Sequence, residues 1–199
     1  MNLTATTLTH QHARLEPLAL HHFDDLSRFN ADPDIWRYIP FQNMETPEGF
    51  RAWMERAASE PERGTGYAFA IIDIASNTAV GSTSLYDISH QDKHVEIGRT
   101  WLGRPYQRTA LNTECKYLLL QYCFDTLGCI RVQLKTDARN LKSQAAIERI
   151  GAVREGVLRA HIVMPDGYLR DTVMYSVLAP EWPDVCHNLE SRMASYAVD

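Results

Sequence analysis

An abrupt change of hydrophobic period near the middle of the chain constrains its fold more than any other feature. From Tyr67 to Leu102 apolar residues run together or alternate. From Leu111 onward they follow helical spacing, with Leu111, Cys115, Leu118 and Tyr122 at i, i+4, i+7 and i+11. Strand side chains repeat every two residues and helix side chains near every 3.6, so one element cannot hold both patterns. Gly103-Arg104-Pro105-Tyr106-Gln107-Arg108-Thr109 must therefore turn a strand into a helix. Such a turn leaves the first helical N–H groups unpaired at the positive end of the helix dipole, where phosphates bind.

Around that junction the chain predicts an ordered set of elements. A short extended segment near Arg14–Leu18 precedes helical spacing of Phe23, Leu26 and Phe29, within residues 21–30. Thr46-Pro47-Glu48 opens an amphipathic helix bearing Phe50, Trp53, Met54 and Ala57. Tyr67–Ile72, Val80–Ile88 and His94–Leu102 form a three-stranded antiparallel meander. Alternation in its third strand puts Val95, Ile97, Arg99 and Trp101 on one side and His94, Glu96 and Gly98 on the other. Beyond the long helix, which ends at Leu127-Gly128, Ile130, Val132 and Leu134 alternate in a strand and Asn140 caps a helix reaching Ile150. Asp166-Gly167 then turns a hairpin from Ala152–Met164 to Tyr168–Leu178. The expected fold class is α/β (α+β), a mixed, mostly antiparallel sheet flanked by helices, with residues 1–199 as one domain.

Composition narrows the function classes. The 199 residues are 45% hydrophobic and 23% charged, enough apolar material for one core. A formal charge of −5 argues against general nucleic-acid binding, which rests on basic side chains neutralising phosphates. Without a basic-then-apolar leader or a run of about 18 apolar residues, a cytoplasmic protein with no membrane segment is expected. Cys115, Cys123, Cys129 and Cys186 contain no Cys-x-x-Cys pair and are expected to be reduced. His10-x-His12 and His21-His22 lack an acidic or cysteine cluster at ligand spacing, so no metal is expected. Trp36, Tyr38, Phe41, Trp53 and Trp182 are candidates for a cleft wall, although aromatic residues more commonly enter the core.

The junction Trp101-Leu102-Gly103-Arg104-Pro105-Tyr106-Gln107-Arg108-Thr109-Ala110-Leu111-Asn112-Thr113-Glu114 resembles the acetyl-coenzyme A loop of the GNAT acetyltransferases, Gln/Arg-x-x-Gly-x-Gly/Ala. Asp137-Ala138-Arg139-Asn140-Leu141-Lys142-Ser143 with Ile150-Gly151-Ala152 resembles that superfamily's second cofactor segment, and residues 166–176 its closing hairpin. With Val95-Glu96-Ile97-Gly98 the similarity spans residues 12–180 and is greatest to the branch of ribosomal-protein N-terminal acetyltransferases. Ala110 and Asn112 depart from the pattern's Gly and Gly/Ala, and Arg108 replaces another frequent glycine.

The resemblance implies direct transfer of acetyl from acetyl-CoA, the cosubstrate, to a primary amine within a ternary complex. The acceptor would be a small molecule or a protein N-terminus. Backbone amides of Gln107, Arg108, Thr109, Ala110, Leu111 and Asn112 would receive the cofactor's phosphates, with charge from Arg104 and Arg108. Asn140 would bind the pantetheine arm, and Ser143 would donate a proton to the sulfur. A backbone N–H near Trp101 and Leu102 would polarise the thioester. Glu96 would be the base, directly or through water; a solvated strand glutamate or a sheet ion pair is its plain alternative. Residues 30–60 and the Pro165-Asp166-Gly167 turn would select the acceptor. The irregular loop also suits a catalytically silent acyl-CoA-binding or regulatory module. An apolar edge on the last hairpin suits a homodimer.

Overall fold

The computed structural model describes residues 1, 3, 4 and 6–196. Its strands are β1 (Leu8–Thr9), β2 (Ala13–Pro17), β3 (Gly66–Asp73), β4 (Thr78–Ser89), β5 (His94–Leu102), β6 (Arg131–Asp137), β7 (Val153–Val163) and β8 (Leu169–Leu178). Its helices are α1 (Phe23–Leu26), α2 (Pro33–Trp36), α3 (Pro47–Ala58), α4 (Glu60–Arg63), α5 (Ala110–Gln121), α6 (Leu141–Arg149) and α7 (Trp182–Tyr196). The strands pair in the order β1-β2-β3-β4-β5-β6-β8-β7, antiparallel throughout except between β5 and β6.

Strand alternation separates two cores. Phe69 and Ile71 of β3 and Val95 and Ile97 of β5 pack with Leu118 and Leu119 of α5, Ile147 of α6 and Leu189 of α7. Ala68, Ala70 and Ile72 face the opposite way, onto Trp36 of α2 and Phe50, Trp53 and Met54 of α3. Helices thus cover both faces of the sheet, and both cores remove apolar surface from water.

Pure alternation fails in β5. Ser84 pairs with Gly98 but Ser82 pairs with Trp101, so β5 carries one extra residue, and Arg99 there adopts φ +51°. A bulge of this kind reverses the facing of the residues that follow it. Trp101 consequently joins the α3 core and Leu102 the α5 core, correcting the expectation that Trp101 lies beside Val95 and Ile97.

Two further segments differ from the reading by periodicity. The helix expected over residues 21–30 contracts to a 3-10 turn at Leu20–His22 followed by α1. Beyond Leu178, α7 is an element additional to those that periodicity predicts, and it buries Trp182, Val185, Leu189 and Met193 along one face. Trp182 stacks on Phe124 at 5.6 Å between centroids and donates from Nε1 to Asp125 at 2.9 Å. The amino-terminal strands are held by buried Glu114 of α5, which accepts from the N–H groups of His12 and Ala13 at 2.8 and 2.9 Å. None of the four cysteines is disulfide-bonded. Among the described residues, no helix is long and apolar enough to cross a membrane.

Candidate active site

β5 and β6 are hydrogen-bonded only where His94–Glu96 meets Arg131–Gln133. Both strands then continue, to Leu102 and Asp137, without pairing to each other. The sheet therefore opens in a V whose facing edges carry backbone polar groups with no ladder partner. The opening is a cleft of about 370 Å³, bordered by Gly98–Thr100 on β5 and Leu134–Thr136 on β6. It passes through the sheet: Asn112 and Lys116 of α5 and Ser143 of α6 line it from one layer, Tyr38 and Phe41 from the other. Ile162 and Arg170 of the last hairpin complete the wall.

The turn into α5 keeps a glycine-like shape without glycine. Arg108 adopts φ +63°, a left-handed conformation costing a non-glycine residue about 1 kcal/mol. Ala110 is the first helical residue, where no glycine is required. Thr109 caps the helix, accepting from the Leu111 N–H at 3.4 Å. Gln107 ties the turn down, donating to the Leu102 carbonyl at 2.9 Å and accepting from Lys142 Nζ at 2.6 Å. Arg108 and Thr109 are exposed, whereas the side chains of Trp101, Leu102 and Leu111 are buried in the cores, leaving their backbone to serve a site. Arg104 does not face the turn as an anion contact. It is held by Asp32 at 3.0 Å and Asp34 at 2.8 Å, which fastens the turn to the start of α2.

On the other side of the V, Asn140 and Ser143 both line the cleft. Asn140 Oδ1 also accepts the Ser143 N–H at 3.0 Å, so the asparagine is the N-cap of α6.

Glu96 occupies the last paired position of β5, at the apex of the V. It is fully buried and receives hydrogen bonds from the Tyr86 hydroxyl and, at 3.2 Å, Gln133 Nε2; Lys135 Nζ lies 2.9 Å away. Glu96 is thus not a solvated strand glutamate; the sheet ion pair is present, and Tyr86 rather than Glu96 forms the cleft wall. Burial, then the adjacent Glu96 charge, push the Tyr86 phenol well above its ordinary pKa. Gly98 leaves the phenol room, since a Cβ there would stand 2.7 Å from the Tyr86 oxygen.

No sequence pattern marks Tyr86, Lys116 or Arg170, because their importance comes from neighbours distant in the chain. Lys116 is nearly buried, donates to Thr100 Oγ1 at 2.7 Å, and has its pKa lowered to about 8 by loss of solvent. Of the aromatic candidates, Tyr38 and Phe41 line the cleft while Trp36, Trp53 and Trp182 belong to the cores. The Pro165-Asp166-Gly167 turn does not line it; the strands beside that turn do. His21 and His22 do have an acidic neighbour: Glu16 of β2 brings a ligand-type atom within 4.8 Å of one on each histidine. Its other oxygen is bound by Arg14 at 2.6 Å, making an ion-pair cluster.

A family model described as an acetyltransferase (GNAT) domain matches residues 12–153. The uncharacterized N-acetyltransferase p20 of Bacillus licheniformis is 24% identical over 88% of this chain and 98% of its own length. The crystal structure of a GCN5-related N-acetyltransferase from Brucella melitensis is 30% identical with a TM-score of 0.91, over 99% of this chain and 89% of that one. Mycobacterium smegmatis RimJ in complex with CoA-disulfide shares the fold, with a TM-score of 0.83 at 19% identity over 94% of this chain and 95% of its own. The chain belongs to the GNAT acetyltransferase family. It is an acetyl-CoA-dependent N-acetyltransferase, and its split, mostly antiparallel sheet between helical layers matches the solved members.

Proposed function

We propose that this chain, acting as a single domain, acetylates a primary amine in the cleft between β5 and β6, with Glu96 serving as base through Tyr86. The observation that carries this reading is the Tyr86–Glu96 hydrogen bond at the apex of the split, with the phenol on the cleft wall and the carboxylate behind it.

The surroundings fit acetyl-CoA. The α5 start offers unpaired N–H groups beside exposed Arg108, suited to phosphates, and the unpaired β5 edge suits the amides of a pantetheine arm. The backbone of 107–112, Arg108, the β5 edge and Asn140 would hold it. When bound, it supplies an acetyl group activated as a thioester. Tyr86 passes its proton to Glu96 as its oxygen takes one from the acceptor nitrogen, so the phenol is neutral before and after. Ser143 gives a proton to the departing sulfur and regains one from solvent, to which Glu96 releases the proton it received, and an N–H near Trp101 and Leu102 polarises the acyl oxygen. Tyr38 and Phe41, on the opposite layer from α5 and α6, receive the acceptor.

General-base assistance is worth about 10²–10⁴ in rate, so Glu96→Gln and Tyr86→Phe should each lower kcat about 10²-fold with little change in KM for acetyl-CoA. Thiol release measured across a panel of amines and peptides tests this. Full activity in either variant overturns the base assignment, and no release with any acceptor overturns the reading.

A further inference from the structure

We infer that Arg170 is an anion site for the acceptor, and that the acceptor class is a small primary amine bearing a free carboxylate, as in an amino acid. The inference deepens the transfer reading above and rests on it.

Arg170 and Lys116 are the buried cations of the cleft without an ion-pair partner among the described residues, and of the two only Arg170 also keeps a buried donor unsatisfied, since Lys116 donates to Thr100 Oγ1. Arg170 is 5% exposed, donates from Nη1 to the Tyr38 carbonyl at 3.2 Å, and its buried Nε has no acceptor. The carboxylates that bear on it are already engaged: Asp137 is bound by Arg139 at 2.7 Å and Glu96 by Lys135 at 2.9 Å. A guanidinium keeps its proton inside proteins, and a buried charge is costly unless paired. Its planar fork matches a carboxylate in two parallel hydrogen bonds.

Position separates this anion from the donor's phosphates. On β8, Val173 and Tyr175 point into the α5 core. Arg170, of opposite parity, reaches Tyr38 in the other layer, away from the α5 turn. It shares the cleft wall with Tyr86, near enough for its cation to bear on the phenol. A carboxylate on Arg170 would therefore leave an amine a few bonds away beside the proposed proton acceptor. Ile39, Phe41 and Ile162 offer that acceptor an apolar surround. A peptide N-terminus presents an amide where a free amino acid presents this carboxylate, so the two are separable.

The test compares initial rates at saturating acetyl-CoA for the common L-amino acids, each beside its carboxamide and beside short peptides. Wild type, Arg170→Lys and Arg170→Gln are used. The best amino acid should exceed its amide by at least about tenfold in wild type, a comparison independent of whether any variant folds. Arg170→Gln should lower that amino acid's kcat/KM about 10²-fold and spare the amide, with Arg170→Lys between, and leave KM for acetyl-CoA unchanged. The inference is overturned if amides or peptides match free amino acids, if Arg170→Gln lowers both alike, or if it raises KM for acetyl-CoA. Turnover without a carboxylate preference sinks this inference and leaves acetyl transfer standing. No turnover at all sinks both.

Discussion

Lys116 provides a pH-dependent signature at the scale of one residue. Loss of solvent brings its pKa from 10.5 to about 8. Below that value folded and unfolded chains both hold the proton, and the folded chain bears the cost of burying it. Between about 8 and 10.5 the unfolded chain keeps a proton that the folded chain has released, so stability rises with pH across this window. Lys116→Met should therefore raise Tm near neutral pH, by up to about 3 kcal/mol in stability, and abolish the rise between pH 8 and 10. Thermal melts of both proteins across that range check it; parallel curves would show that Lys116 does not titrate there. Asn140 and Ser143 were legible in the sequence because a cap and the first turn of its helix are local. Tyr86 was not, because its partner Glu96 lies on a neighbouring strand and its role depends on register.

At the scale of elements, the cap of α6 and the turn into α5 each combine a structural role with a place in the proposed site. Asn140→Ala should cost about 1 kcal/mol by leaving the Ser143 N–H unpaired. Asn140→Asp keeps an accepting oxygen and should retain most of that stability while raising KM for acetyl-CoA, through loss of the amide donor. Chemical denaturation with acetyl-CoA kinetics separates the two effects, and an unchanged KM in Asn140→Asp would confine the residue to capping. Arg108→Gly should relieve about 1 kcal/mol of backbone strain and weaken acetyl-CoA binding, since the exposed cation is lost. Stronger binding in this variant would remove Arg108 from the phosphate site. The turn was legible from the change of period, but the β5 bulge was not. Gly98 stands beside Arg99, but the positive φ falls on Arg99 itself, and the neighbouring strand determines which residue goes unpaired.

For the whole molecule, α7 contributes stability without lining the cleft. Leu189 is fully buried against α5, so Leu189→Ala should cost about 3 kcal/mol while leaving kcat of the folded enzyme unchanged. A fall in kcat at a temperature where the variant remains folded would show that α7 bears on the site. The opening in the sheet belongs to this scale too. It arises because β5 and β6 pair over three residues and then diverge, each retaining its outer partner. The sequence by itself determined most elements, their order and the strand-to-helix turn, because periodicity and caps are carried by residues close together in the chain. Only the tertiary structure decided that Glu96 lies buried behind Tyr86, that Arg104 is taken by Asp32 and Asp34, and that Arg170 is buried with no carboxylate bound to it among the described residues. Those outcomes depend on which distant side chains register and packing bring together, information that no local pattern carries.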